Sequence, residues 1–396
     1  MKLFHKIYVI AFMAVFVCGG ALVLFLGQND YSKNENRYLE KLPSFSWDTY
    51  RKGEYQDKLE KALTDQFPMR DVLTGLSTMY RKVAGLHDVG DVYLGKDHFY
   101  LDKKLEKDVS ASQFGKNLAS VKKFSDTYCP DLKLMLVPSP ATVMEDKLPS
   151  FAKIYDESPY VKTAVEMFGE RFIDVRGEFE RQGYSDSIGF DECTEVLGGS
   201  NDRKDDGNLF FRTDHHWTHR GAFAGFCAYK GLDPGFMSRH YTYRVVSEDF
   251  LGTMYSRALD NGAVADTIAI PDVPEGLVVK AGEKEMPFYA MDKLKEKDQY
   301  AVYLGGNYPE VTITNPNLSA LGDENQGKKL LIFKDSFANS LVPLLTWEYD
   351  EITMIDLRYE IRPMSMLMKQ YQPDDVLVLY EFTTFAQSTE VARLGI

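Results

Sequence analysis

The stretch RTDHHWTHRGAF, Arg212 to Phe223, places Asp214, His215, His216 and His219 within six positions. The 396-residue chain has only seven histidines, so three of them fall here. An imidazole beside a carboxylate is the pair that general-base chemistry requires. The other reactive stretch is LLIFKDSFANSLVPLL, where an apolar strand runs into Lys334-Asp335-Ser336 and then a helix-like segment. A serine at such a turn exposes its hydroxyl, and the helix start offers N–H groups to an oxyanion. Taken alone, Asp-Ser before a helix reads equally well as a cap.

The two stretches make chemical sense together. A serine hydroxyl is a weak nucleophile until an imidazole takes its proton. That imidazole needs a carboxylate on its other nitrogen, to fix the tautomer and stabilise the imidazolium. A zinc site built from Asp214, His216 and His219, with His215 as fourth ligand, is the competing reading. The H-x-x-H spacing across a loop-to-helix junction lacks the i, i+4 face and the intervening Glu of a zinc hydrolase. The expectation is therefore no metal and no other cofactor.

These residues need elements to hold them. FFRT reads as a strand end and HRGAFAGFCAYKG as a helix, with Ala222, Phe223, Phe226 and Cys227 as its apolar stripe. Thr218 is placed to cap that helix and Gly231 to stop it. The run LKLMLV (132–137) is continuous and apolar, as in a strand buried on both faces, and an α/β pattern resumes with KLLIF (329–333), EITMID (351–356) and DDVLVLY (374–380). RFIDV (171–175) and NLFFR (208–212) are further candidates. Hairpins are expected at DVYLGKDHFYL (91–101) and at YAVYLGGNYPEVTI (300–313). Helices are expected on either side of Pro68. Chemistry in an open α/β sheet concentrates beyond the carboxyl ends of its strands, where both reactive stretches would lie.

Composition limits what such a protein can bind. A formal net charge of −13 argues against nucleic acid, whose phosphates demand a basic face. Hydrophobic residues at 44% suffice for a large core. Ile7 to Leu26 is an uncharged apolar run of 20 residues preceded by Lys2, His5 and Lys6, long enough to cross a bilayer. No A-x-A-like cleavage site ends it, so it reads as a retained signal anchor with the remainder outside the cytoplasm. With Cys18 in that run, Cys129, Cys193 and Cys227 permit one disulfide at most.

The motif order resembles the SGNH hydrolase superfamily in permuted form. In that superfamily a Gly-Asp-Ser block follows the first strand and an Asp-x-x-His block precedes the last helix. Here TDHHWTHRGAFAGF comes first and KLLIFKDSF later, the arrangement of the alginate O-acetyltransferase group and of the DHHW-motif proteins. The stretches ENRYLEKLP and DQFPMRD are also similar to DHHW proteins. The resemblance implies Ser336 as nucleophile, His216 as base and Asp214 as its carboxylate. Lys334 stands where the superfamily has Gly, and the usual oxyanion Gly and Asn are missing. Arg358, Tyr380 and Thr383, at the corresponding strand ends, are the oxyanion or substrate-binding candidates.

The expected fold is α/β: a three-layer SGNH-hydrolase-like domain with a mainly parallel sheet over residues 110–396, and a β-rich insertion at about 240–328. Residues 1–27 would form a transmembrane anchor and 28–109 a stalk, helical arm and hairpin. The resemblance implies a serine-dependent O-acetyltransferase acting on a cell-surface or secreted polysaccharide. Its partner would be a membrane-bound O-acyltransferase that delivers the acetyl group. A carbohydrate esterase and a catalytically idle polysaccharide-binding protein are the alternatives.

Overall fold

The computed structural model describes all residues except 1, 26–27, 33, 35–36, 183–193, 199–206, 232–240 and 318–326. Cys193 thus lies outside the described residues, while Cys129 and Cys227 are buried. The chain divides into two compact units, 1–90 with 255–263, and 91–254 with 264–396.

The smaller unit is helical. It contains α1 (Lys2–Phe25), α2 (Glu54–Asp65) and α3 (Arg70–Val83). The break between α2 and α3 falls at Pro68, as the sequence indicates. Thr78 Oγ1 donates to the Ala258 carbonyl at 2.6 Å and Lys82 pairs with Asp260 at 2.7 Å. The Ile7–Leu26 run falls on and just beyond α1. The expected transmembrane helix is not found: among the described residues, no helix is long and apolar enough to cross a membrane.

The larger unit is built on one sheet. Its helices are α4 (Ala111–Tyr128), α5 (Ser158–Phe168), α6 (His219–Lys230), α7 (Ala338–Leu345), α8 (Met364–Tyr371) and α9 (Phe382–Gln387). Its strands are β1 (Lys133–Val137), β2 (Phe172–Ile173), β3 (Val278–Ala281), β4 (Lys284–Met286), β5 (Glu310–Thr314), β6 (Lys329–Lys334), β7 (Glu351–Ile355) and β8 (Asp375–Glu381). They lie in the order β4-β3-β5-β7-β6-β8-β1-β2. The pairs β7/β6, β6/β8, β8/β1 and β1/β2 are parallel; β4/β3, β3/β5 and β5/β7 are antiparallel. Part of the β-rich segment therefore widens the main sheet.

Strand alternation produces three layers. Leu330, Ile332, Leu377, Leu379, Met135 and Val137 join Phe223, Phe226 and Leu341 in one core. Leu331, Phe333, Val376, Val378, Leu134 and Leu136 join Phe114, Leu118, Phe168 and Leu367 in another. The central strands are buried on both faces, which explains why their sequences are apolar throughout. Register pairs Lys334 with Leu379 and Glu381 with Val137, so β6, β8 and β1 end along one edge.

Two local expectations are corrected. NLFFR is not a strand: Phe210 makes a single antiparallel bridge to Trp217. Phe211 N donates to the His216 carbonyl at 3.1 Å and Thr218 N to the Leu209 carbonyl at 2.9 Å, closing a loop. The Asp266 carboxylate takes the N–H groups of Arg212 and Thr213, both at 2.8 Å, so no ladder can continue. The 300–313 segment is not a hairpin either. Leu304, Gly305 and Gly306 have φ of 59°, 75° and 122°, which no strand accommodates. Only Glu310–Thr314 enters the sheet. The 91–101 hairpin does form, Tyr93 pairing with Leu101.

Helix α6 is set against the DHHW loop by close approach. A Cβ on Gly221 would stand 2.3 Å from the Leu209 carbonyl oxygen and 2.7 Å from Trp217 Cβ. Gly115, in α4, has open space around it. Gly221→Ala should therefore destabilise the fold by about 1–3 kcal/mol through overpacking. Gly115→Ala should stabilise it by roughly 0.5–1 kcal/mol through helix propensity. Thermal melts of the two variants should move in opposite directions, and a common direction would contradict this packing.

Candidate active site

The DHHW loop and the β6–α7 turn carry the reactive side chains to one place. Thr218 caps α6, its hydroxyl accepting from Arg220 N and Gly221 N, and Gly231 ends it at φ 65°. The loop just before is tied down from several sides. Tyr100 N, on the hairpin, donates to the Arg212 carbonyl at 2.8 Å. Asp266 also accepts from the Thr213 hydroxyl at 2.5 Å, and Gly252 N donates to that hydroxyl at 3.1 Å.

His216 faces Ser336. Its Nε2 lies 2.7 Å from Ser336 Oγ, and its Nδ1 lies 2.5 Å from Asp214 Oδ1. The same oxygen accepts the His216 backbone N–H at 3.0 Å. Asp214 Oδ2 accepts from Thr253 N at 2.8 Å and Thr253 Oγ1 at 2.9 Å. Asp214 is buried, which pushes its carboxyl up. The two adjacent imidazoles and its hydrogen bonds outweigh burial and hold it well below the usual carboxylate range. It therefore stays ionised beside His216.

His215 occupies a different position. Its Nδ1 lies 2.7 Å from Thr253 Oγ1 and 3.7 Å from Asp214 Oδ1. The single Thr253 hydroxyl proton goes to Asp214, so His215 Nδ1 must carry the hydrogen that completes the contact. Burial, then the charge on His216, lowers its basicity. His219 is set in the first turn of α6, its ring 5.2 Å from that of Tyr243.

Trp217 completes the motif. Its Nε1 donates to Ser340 Oγ at 2.7 Å and to the Phe337 carbonyl at 3.2 Å, which ties the loop to the start of α7. A Cβ on Gly225 would lie 2.8 Å from the indole ring. Tyr300 stacks on His216 with centroids 3.7 Å apart and planes 8° from parallel. Its hydroxyl donates to the Ser336 carbonyl at 3.1 Å and lies 2.9 Å from Ser340 Oγ. Phe337 approaches the imidazole at 5.1 Å.

The turn bearing Ser336 is held by its neighbours. Asp335 Oδ1 accepts from Phe337 N at 2.9 Å and its Oδ2 from Glu381 N at 2.7 Å. The Phe337 N–H, next after Ser336, is thereby already bonded, contrary to the expectation that it stands open to an oxyanion. Lys334 is buried, with its ammonium 2.8 Å from Asn307 Oδ1, 2.9 Å from Asn339 Oδ1 and 4.0 Å from Asp356. Burial pulls its pKa down to about 8.

The three oxyanion candidates have other partners. Arg358 grips Asp356 through Nε at 2.9 Å and Nη2 at 2.6 Å. Tyr380 is buried in the core beneath α4 and α9, its ring 6.1 Å from Phe385. Thr383 gives its N–H to Glu381 and meets the Tyr155 hydroxyl at 2.9 Å. Metal-capable atoms of Asp214, His215 and His216 lie within 4.8 Å of one another. Each of these residues already has a hydrogen-bond partner of its own, and His219 is not part of the group.

Thr253, Gly252 and Tyr300 were not singled out in the sequence. A Cβ on Gly252 would stand 2.4 Å from Asp214 Oδ2, so glycine is what lets the carboxylate reach the Thr253 N–H. Neither Gly-Thr nor an isolated Tyr in an aromatic-rich chain carries a local signal of this.

The DHHW protein family model matches residues 200–355. No curated protein matches this chain. Among solved structures, Bacillus cereus PatB1 with a sulfonyl adduct is similar at 18% identity, covering 76% of this chain and 98% of that chain, with a TM-score of 0.52. A DHHW family protein from Eubacterium siraeum is similar at 17% identity, covering 76% and 93%, also with a TM-score of 0.52. The O-acetyltransferase domain of Pseudomonas putida AlgJ gives 13% identity over 77% and 98%, with a TM-score of 0.40, too low to bear on this chain. The first two likenesses show a shared fold. The match over residues 200–355 includes the signature Asp214-His215-His216-Trp217.

Proposed function

We propose that this protein is a serine-dependent O-acetyltransferase that modifies a cell-surface or secreted polysaccharide. The observation that carries the reading is the continuous Ser336–His216–Asp214 relay, with contacts of 2.7 and 2.5 Å. In the first half-reaction Ser336 Oγ bonds to the acyl carbon of an acetyl ester while its proton passes to His216 Nε2. The tetrahedral intermediate collapses, the donor alkoxide leaves, and that alkoxide takes the proton from His216. In the second half an acceptor hydroxyl gives its proton to His216 and attacks the acyl-serine; the intermediate collapses, the acyl–Oγ bond breaks, and Ser336 Oγ takes the proton back from His216 Nε2. Asp214 holds the Nδ1–H and stabilises the imidazolium throughout.

Water in place of the sugar hydroxyl would make the same relay an esterase. A membrane-bound O-acyltransferase partner would favour transfer, because it would present the donor beside the emerging polymer. On this reading the domain works outside the cytoplasm.

Ser336→Ala should abolish acyl transfer with the fold intact, and His216→Ala should be comparably severe, because nucleophile and base act as a unit. Asp214→Asn should lower turnover by about 10⁴, as in a serine protease. All four groups that reach this carboxylate are donors, so a carboxamide would set N–H against N–H. His215→Ala should be milder, since its Nδ1 stands 3.7 Å from Asp214 Oδ1, against 2.5 Å for His216, and hydrogen-bonds Thr253 instead of Ser336. Mass spectrometry of an acetyl ester incubated with and without an oligosaccharide reads the outcome. Wild-type turnover in Ser336→Ala, or a need for His215 but not His216, would overturn the relay. Release of acetate alone, whatever the acceptor, would make the protein an esterase.

Chelators should leave the rate unchanged; a loss restored only by zinc would instead assign the DHHW cluster to a metal. Protease added to intact cells should degrade the large unit, and full protection would contradict the proposed location.

A further inference from the structure

Resting on the acyl-transfer reading, we propose that Asn307 is a catalytic residue that donates its carboxamide N–H to the oxyanion, and that Lys334 is the positioning residue that aims it. The tetrahedral intermediate needs a donor, and the candidates at the strand ends are wholly or partly engaged. Arg358 grips Asp356, Thr383 meets Tyr155, and the Phe337 N–H is held by Asp335.

The Lys334 ammonium is donor-only, so the atoms it meets at 2.8 and 2.9 Å must be carboxamide oxygens. That fixes the orientation of both Asn307 and Asn339. Asn339 Nδ2 then donates back to Asn307 Oδ1 at 3.2 Å. Asn307 Oδ1 thus accepts from both, and its NH2 points away from them, on an exposed residue. Asn339 sits one turn beyond Ser336, its N–H on the Ser336 carbonyl at 3.1 Å. Lys334 lies two residues before Ser336. Asn307 is thereby joined to Lys334 and Asn339, the two residues that flank the Ser336 turn in the chain.

The backbone supplies independent support. Asn307 follows Leu304, Gly305 and Gly306, all in the left-handed region, at φ of 59°, 75° and 122°. Leu304 is a buried branched residue in a conformation that costs energy and persists only when its surroundings impose it. The same segment begins with Tyr300, which stacks on His216 and donates to the Ser336 carbonyl. One short strained stretch thus contacts the base, the nucleophile's carbonyl and the polar cluster. When Ser336 Oγ bonds to the acyl carbon, the carbonyl π pair becomes the oxyanion lone pair. The Asn307 N–H meets that charge without transferring its proton. Collapse returns the pair to the carbonyl and expels the alkoxide.

The test is hydrolysis of p-nitrophenyl acetate by the full chain and its variants, with mass spectrometry to detect acetyl-Ser336. Asn307→Ala should lower kcat by about 10²–10³ and change KM by less than about threefold. Asn307→Asp should be as slow, although it still offers oxygens to Lys334 and Asn339; a merely structural Asn307 would tolerate that change. Lys334→Met should slow the wild type and add nothing to Asn307→Ala, because both remove one interaction. Asn307→Ala within about threefold of wild-type kcat, or recovery in Asn307→Asp, would overturn the assignment while the relay stands. A wild type that neither turns over nor acetylates Ser336 would overturn the relay and this assignment with it.

Discussion

The Asp214 carboxylate is buried with four hydrogen-bond donors: the backbone N–H and Nδ1 of His216, and the backbone N–H and hydroxyl of Thr253. Burial alone would favour the neutral acid. Two imidazoles and this donor set reverse that preference. An ionised carboxylate fixed in place dictates which His216 nitrogen carries hydrogen, and hence that Nε2 is free to take a proton from Ser336. Gly252 is required because any side chain there would occupy the carboxylate's space. Asp266 and the Tyr100 contact at Arg212 shape the loop so that Asp214 and His216 fall on the same side.

His216 and Ser336 come from distant parts of the chain, so something must hold them in register. Trp217 does so through Ser340 and the Phe337 carbonyl. Tyr300 does so by stacking on the base while bonding the Ser336 carbonyl and Ser340. Ser340 therefore receives both clamps one turn into α7. A shift of the helix by a fraction of an ångström would be felt at His216, and effective catalysis tolerates little misplacement.

Much of this was legible in the sequence wherever one local rule dominated. The strands at 132–137, 329–333, 351–356 and 374–380 are uninterrupted apolar runs, and such runs have few alternatives inside an α/β domain. Thr218 and Gly231 mark α6 because capping is a local property. Asp214, His216 and Ser336 were legible from residue type and motif order. The failures occur where tertiary partners override local pattern. NLFFR has strand composition, but Asp266 captures the N–H groups a ladder would need. YAVYLGGN reads as a hairpin with a Gly-Gly turn, but Leu304 also adopts positive φ and the chain turns into the site instead. Arg358, Tyr380 and Thr383 were placed correctly at strand ends. No sequence rule could foresee that Asp356, the core and Tyr155 would engage them.

The strand-edge carboxylates divide by their partners. Burial pushes Asp335 up to about 6 and Glu381 up to about 7, against the backbone N–H groups that each accepts. Asp214 is equally inaccessible, yet its shift runs the other way, because only Asp214 has imidazoles beside it. The consequences for stability have opposite signs. A raised carboxyl contributes stability below its unfolded value near 4, and this is lost as pH rises through the folded value. A lowered carboxyl contributes stability above that value, lost only as pH falls far below it. Between about pH 4 and 7, then, acidification relieves Asp335 and Glu381 while leaving Asp214 ionised. The carboxylates that shape the turn are therefore electrostatic burdens on the fold at neutral pH. The carboxylate that orients the base is a stabilising one, so at Asp214 the need for charge in the chemistry and the need for charge in the fold coincide.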